Sequence, residues 1–504
     1  MGSEMCIRDR YRGGAWRLCE IRGSMMMNRI FAIAREESRL WLRSRLALSS
    51  LLIFALLLGA TSIATSLRMT GEHQERSEQQ ALAEERFLSQ PDRHPHRMVH
   101  YGHYVFRPPP PLAMIDPGVD AVTGQSIFLE GHRQNSAMFA DARASADLGG
   151  FEGLTAALVY QLFVPLLLIA IGHGVFIRER EENTLAPLLA QGVTGIELYT
   201  GKWLALAGVA LALLLPLAMV STAAIVRGET MLASFGVICL YALYLFVWCG
   251  LILLVSAKVR LRALSLGFLA LFWLASALIV PRMAVESASS AMPAPGKLET
   301  DLRMQAELRE VGDGHYAGAP QFLQLRANLL AQYDVERVED LPVNFRGVVA
   351  EVAEADLTEV MNRFAKERMD LEARQARFAE SFGWLSPVVA VSAGSRALSG
   401  TDLATHHRFL REAEEVRFDF IQGLNRVHVQ QLDYIDDINR SVDAVSERRT
   451  RMSAENWNVL DEFSFQPAAA GERLARTGAP LAMLFAWFLL VTAGGIHAAR
   501  RMQP

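Results

Sequence analysis

The sequence predicts an all-α polytopic membrane protein. It has six transmembrane helices, both termini cytoplasmic, and two extracytoplasmic insertions, a smaller mixed one and a larger mainly helical one. Three observations predict this. Six apolar runs are each long enough to cross a bilayer, because about 20 helical residues span the hydrocarbon core. The charged residues are segregated into loops and two long polar blocks, although the chain as a whole is 51% hydrophobic with a net charge of −4. The short loops divide by charge: Arg178, Arg180, Lys202, Lys258, Arg260, Arg262, Arg500 and Arg501 fall on one side, whereas the short loop on the other carries Arg227 beside an offsetting Glu229. Positive residues beside crossings mark the cytoplasmic side, and long translocated loops carry no weight in that rule.

The first residues are set aside. Met1–Arg10 (MGSEMCIRDR) back-translates to a transposase adapter used in sequencing libraries. Residues 1–24 are therefore read as a non-native leader, with Tyr11–Ser24 as untranslated upstream sequence, in preference to a genuine basic leader. The natural start is then Met25, Met26 or Met27.

Residues 28–45 form a basic amphipathic segment. Ile30, Phe31, Ala34, Trp41 and Leu42 can share one helical side, which predicts a helix lying at the membrane interface. Leu46–Leu67 is the first crossing; its apolar run is too long for a signal peptide and no clean cleavage site follows. Arg68–Thr155 is the smaller insertion, opening with a polar helical run over Glu72–Leu88. Ala156–Phe176 is the second crossing, with a kink expected at Pro165, and Trp203–Val226 the third, with Pro216 inside it. Leu232–Ala257 is the fourth. Leu264–Val280 is the fifth, ended by Pro281. Ala479–Ala499 is the sixth.

Arg282–Thr477 is the larger insertion. Ala288–Gly296 reads as a linker. Helical patterns follow at Leu298–Val311, Gln321–Tyr333 and Phe345–Phe382, with a break at Trp384–Pro387. A last long helix runs from Thr401 to about Val445, with Thr401 or Asp402 as its cap. Phe409, Val416, Phe420, Leu424, Val427, Ile435, Ile438 and Val442 keep near-heptad spacing, so this helix should pack along Phe345–Phe382.

Several chemistries are excluded. Near-neutral charge argues against nucleic acid. Cys6 and Cys19 lie in the leader, and Cys239 and Cys249 lie too far apart along one helix to be bridged. Gly195–Lys202 resembles a phosphate loop only superficially: five residues separate its glycines and Trp203 stands where Ser or Thr would hold magnesium. No G-x-S-x-G or H-E-x-x-H sequence occurs. His94, His96, His100 and His103 lack zinc-finger spacing; they are read as a solvated polar surface, with metal binding as the secondary reading. His406-His407 is read as a hydrated helix face. Within the crossings Tyr160, Gln161, His173, Tyr241 and Tyr244 are the polar candidates for a conduit. For His173, one turn from the charged edge, packing is preferred to transport.

The segment between the second and third crossings, residues 177–202, carries the strongest signal. It opens with Arg178, Glu179, Arg180, Glu181 and Glu182, and Leu185, Leu188 and Leu189 then fall on one helical face. A docking helix needs such an apolar stripe and flanking charges; a connector lying on lipid has the same pattern. Arg178-Glu-Arg-Glu-Glu-Asn-Thr-Leu185, then Leu188-Leu189 and Gly201-Lys202, resembles the R-E-R-E-x-G-T-L…LL…GK signature of ABC-2 type transporter permeases. More narrowly the chain resembles permeases carrying the domain of unknown function 3526, through Pro111–Gly118, Leu385-Ser-Pro387, Ser399-Gly-Thr401, His407–Leu410, Ala413–Arg417 and Leu424-Asn425. The resemblance implies a permease subunit of a bacterial inner membrane, paired with a second copy or a paralogue. ATP and magnesium would bind on separate cytoplasmic ATPase subunits. Residues 28–45 would form the family's interfacial elbow. The residues coupling ATP hydrolysis to helix movement would be Arg178, Glu179, Arg180, Glu181, Glu182, Thr184, Leu185, Leu188 and Leu189. Asn183 departs from the family, which has Gly there; Asn tolerates the left-handed backbone such a turn needs.

Overall fold

A computed structural model describes residues 26–138, 154–459 and 463–502. The 1–24 leader and part of the smaller insertion lie outside the described residues. The protein is mainly helical, and six helices are long and apolar enough to cross a membrane: Ala47–Leu88, Ala156–Glu181, Gly195–Val226, Met231–Lys258, Arg262–Ala291 and Gly478–Arg500. The fourth is the central one, 61% buried over its apolar stretch, and the first is the most peripheral, at 17%. The second, third and sixth spans pack around the fourth. Glycines allow the close approaches: a Cβ at Gly250 would meet the Val491 side chain at 2.6 Å.

Two expected boundaries of the membrane spans move. The first crossing does not stop at Leu67. One 44-residue helix, Arg45–Leu88, starts at the Ser44 cap and continues through the polar run. At about 1.5 Å per residue it is roughly 65 Å long, about twice the hydrocarbon thickness. Nor does Pro281 end the fifth span. A π-turn at Ala275–Ile279 precedes it, and Pro281 stands in the first turn of Val280–Ala291, so the helix runs into the expected linker. Pro165 is handled alike, with a π-turn at Val159–Phe163 just before it. The wider turn relieves the ring's clash with the preceding carbonyls and absorbs its missing N–H.

The two insertions share a core. Phe87 at the tip of the first helix joins Val105 and Ile127 of the smaller insertion to Phe409, Phe420, Leu424 and Trp457 of the larger. The Phe87 and Phe420 rings meet edge-on at 5.8 Å. The one sheet among the described residues is an antiparallel pair, His103–Phe106 with Ser126–Leu129, with His103 opposite Leu129.

In the larger insertion the helices Lys297–Val311, Leu323–Tyr333 and Phe345–Ser381 fall where the patterns place them. The next helix, Leu403–Gln431, is capped by Asp402 and packs along Phe345–Ser381, but it ends well before Val445. Asp433 caps a new helix, Tyr434–Asn439, which turns the buried Asp437 carboxylate back onto His428 at 2.8 Å and His94 at 3.0 Å. Ile435, Ile438 and Val442 consequently lie exposed, off the heptad seam.

The break at Trp384–Pro387 leads into a helix with no counterpart in the sequence reading, Pro387–Ser399. It packs among the fourth, fifth and sixth spans. Ser386 Oγ lies 2.9 Å from Ser276 Oγ, and Ser395 Oγ 3.0 Å from the Tyr241 hydroxyl. At the same end Arg473 binds Glu229 through two contacts at 2.5 and 3.0 Å and donates to Leu398 O at 2.9 Å. The insertions are thus fastened to the bundle.

Candidate coupling site at the loop end of the bundle

Opposite the insertions, four chain segments meet: the helix at 26–43, the 177–202 connection, the end of the fourth span and the start of the fifth. The second span breaks at His173-Gly174 and resumes as Val175–Glu181. Glu182 caps it, Asn183 takes the left-handed backbone at φ 56°, and a short helix follows at Leu185–Ala190. The third span then starts in a capping box: Thr194 Oγ1 accepts from Glu197 N at 3.2 Å, and Thr194 N donates to the Glu197 carboxylate at 2.6 Å. Reciprocal bonds of this kind satisfy the first free N–H groups of a helix.

At the centre is a buried cluster of two cations and two carboxylates. Lys202 Nζ donates to Glu37 Oε2 at 2.7 Å, Glu179 Oε1 at 2.8 Å and Val175 O at 3.2 Å. All three ammonium donors are therefore used. Arg178 Nη2 reaches both oxygens of Glu37 at 2.8 Å, and Thr184 Oγ1 donates to the Glu179 carboxylate. Lys202 and Glu37 are 1% and 3% exposed. Such burial is tolerable only because the charges balance and their hydrogen bonds are complete. Gly201 makes the cluster possible: a Cβ there would come within 2.7 Å of Ile33 Cβ and 2.9 Å of Ile30 O, so only glycine lets the 26–43 helix sit this close.

Arg180 closes another end. Its guanidinium donates to Ala257 O at 2.6 Å, Val259 O at 3.1 Å and Ser256 O at 3.4 Å. These are carbonyls that the fourth helix leaves unpaired at its C-terminus, where a cation also suits the dipole.

The nine candidate coupling residues therefore divide. Arg178, Glu179, Arg180, Thr184 and Leu185 face inward, with Leu185 only 2% exposed. Leu188 and Leu189 are half-buried against the bundle, so the leucine stripe packs on the protein's own core. Glu181 and Glu182 are exposed, as are Asn183, Ala186 and Pro187. Glu181 makes a surface pair with Arg262 at 2.6 Å, of the kind worth roughly 0–1 kcal/mol.

Glu37 was missed from sequence, yet it carried a signal. It continues the helical stripe of Ile30, Ile33, Ala34 and Trp41 as a carboxylate on an apolar face. Phe31 and Leu42, expected on that side, are exposed.

The other candidates fall elsewhere. Gln161 Nε2 donates to the Tyr241 hydroxyl at 3.0 Å, and the Tyr244 and Tyr160 hydroxyls donate to Gln161 O at 2.5 Å and Leu213 O at 2.6 Å. These bonds tie the second span to the third and the fourth. His173 Nδ1 lies 3.1 Å from Ile169 O and Ala170 O of its own helix. In the insertions His94 and His103 are buried rather than hydrated. His407 is also buried, 2.7 Å from Glu372.

Residues 297–466, the greater part of the larger insertion, match the family described as Domain of unknown function (DUF3526). No curated protein matches the chain.

Proposed function

We propose that the chain is the permease subunit of an ABC-2 type ATP-driven transporter of a bacterial inner membrane, working as an exporter. Its loop end faces a separate cytoplasmic ATPase. The observation that carries this reading is the buried Glu37–Arg178–Glu179–Lys202 cluster. It joins the turn at 181–187, where Glu181, Glu182, Asn183, Ala186 and Pro187 are exposed, to the 26–43 helix and the third span, while Arg180 joins it to the fourth span. A push on the turn is thus delivered to three membrane elements rather than absorbed by a loose loop. ATP and magnesium belong on the partner, because the start of the third span is already occupied by its capping box and by the 26–43 helix. The exposed apolar sides of the first and fifth spans suit lipid and a second permease, either a copy or a paralogue.

A second reading has its own support. The insertions share one core and are pinned to the bundle by Glu229–Arg473 and by the seated helix Pro387–Ser399. The same force could move them in sensing or mechanotransmission without passing a substrate. Co-expression with the ATPase of a neighbouring gene, co-purification and reconstitution test both. ATP-dependent flux into vesicles supports the transporter. ATP hydrolysis with movement of the insertions but no flux supports the alternative, and failure of any ATPase to associate refutes both.

A further inference from the structure

Four histidines converge where the insertions meet. His96 and His100 are four residues apart on the helix Pro95–Tyr101 and so share a face. His132 follows the strand Ser126–Leu129 in a left-handed turn, φ 64°. His315 comes from the larger insertion, in the loop after Lys297–Val311. That loop lies on Phe345–Ser381 through Gly314, at φ 74°, where a Cβ would meet Ala353 Cβ at 2.8 Å. One ring nitrogen from each of the four lies within 4.8 Å of the other three. His96 Nε2 and His100 Nε2 are 3.2 Å apart, and the rings of His132 and His315 are centred 4.8 Å apart.

Two carboxylates stand behind the rings. His132 Nδ1 is 3.0 Å from Glu354 Oε2, an ion-pair approach rather than an aligned hydrogen bond. His132 Nε2 is buried with no hydrogen-bond partner among the described residues. His315 Nδ1 is 3.2 Å from Asp313 Oδ2. A carboxylate behind an imidazole fixes the ring and raises its basicity toward a metal.

We propose that His96, His100, His132 and His315 form a binding site for one divalent first-row transition-metal ion, which clips the His315 loop to the smaller insertion. An all-imidazole donor set suits zinc, copper or nickel rather than magnesium or calcium. The neighbouring His94–His428–Asp437 group makes a useful contrast. Its carboxylate is already bound by both histidines and lies 3.4 and 3.5 Å from Arg346 and Arg440, so a cation there would meet two guanidinium groups.

The test uses the full chain, purified without a polyhistidine tag and stripped with chelator. Titration with zinc sulfate by calorimetry should give one site per chain. His100 and His315 are exposed, so His100→Ala/His315→Ala should fold normally and bind at least about 100-fold more weakly. Asp313→Asn should weaken binding about 10-fold. Copper(II) should show nitrogen hyperfine structure in its electron paramagnetic resonance spectrum, and that structure should be lost in the double variant. Absence of zinc binding by the wild-type chain, or undiminished binding by a folded double variant, overturns the site.

Discussion

Lys202 shows how one side chain can organise a membrane-edge site. Its three donors meet Glu37, Glu179 and the Val175 carbonyl, with Arg178 completing the charge balance. Lys202→Met leaves two buried carboxylates facing one arginine. It should cost about 3–5 kcal/mol, as removal of one member of a buried ion pair does, read as a lower Tm in detergent. Adding Glu37→Gln restores charge balance, so the double variant should be less damaged than the two single effects summed; simple additivity would mean that the cluster is not coupled. A second residue-scale prediction concerns His103, which burial lowers to about 4, with Gln80 and the Phe87 ring against it. Because its folded pKa lies below its unfolded value near 6.5, the unfolded chain takes up the proton first. Stability should therefore fall as pH drops from about 6.5 to about 4, by up to about 3 kcal/mol from this group. His103→Phe should reduce the loss of stability across that window, to which the buried His94 and His406, also lowered to about 4, still contribute, and an unchanged pH dependence would contradict the assignment.

At the scale of elements, the 26–43 helix is held by close approach as much as by charge. Gly201→Ala pushes a methyl group onto Ile33 and the Ile30 carbonyl and should cost about 1–3 kcal/mol, as overpacking does. Ile33→Ala in the same chain removes the Cγ2 atom but keeps the Cβ at 2.7 Å and the Ile30 carbonyl at 2.9 Å, so it should recover little of the loss, which paired thermal melts would show. The spans were legible in the sequence because uninterrupted apolar runs such as Leu51–Leu58 have no other stable home. The helices of the larger insertion were legible from their periodicity. What was not legible depended on partners distant in sequence. Nothing local in Tyr434–Asn439 says that Asp437 will turn back to His94 and His428 and end the preceding helix at Gln431. Pro387–Ser399 is too short to read as a crossing and its burial depends on three spans. Pro281 was read as a stop because the π-turn that accommodates it has no sequence signature of its own. At the loop end the charged burst was plain. Its division into inward Arg178, Glu179 and Arg180 and outward Glu181 and Glu182 depended on Glu37 and on the end of the fourth span.

The whole molecule joins two fastened ends through a bundle centred on the fourth span. At one end the 181–187 turn is tied to the 26–43 helix and to the third and fourth spans. At the other, Arg473 and Pro387–Ser399 tie the insertions to the same bundle. Under the proposed function, force applied at the turn would pass through these packed elements to the DUF3526 region. The most direct test of the proposed function is the ATPase rate of the chain reconstituted with its co-purified ATPase and carrying Glu181→Lys/Glu182→Lys. These residues are exposed, so the variant should insert and melt like the wild-type chain, while the partner's rate should drop to that of the ATPase alone. Full stimulation by a correctly inserted double variant would contradict the account.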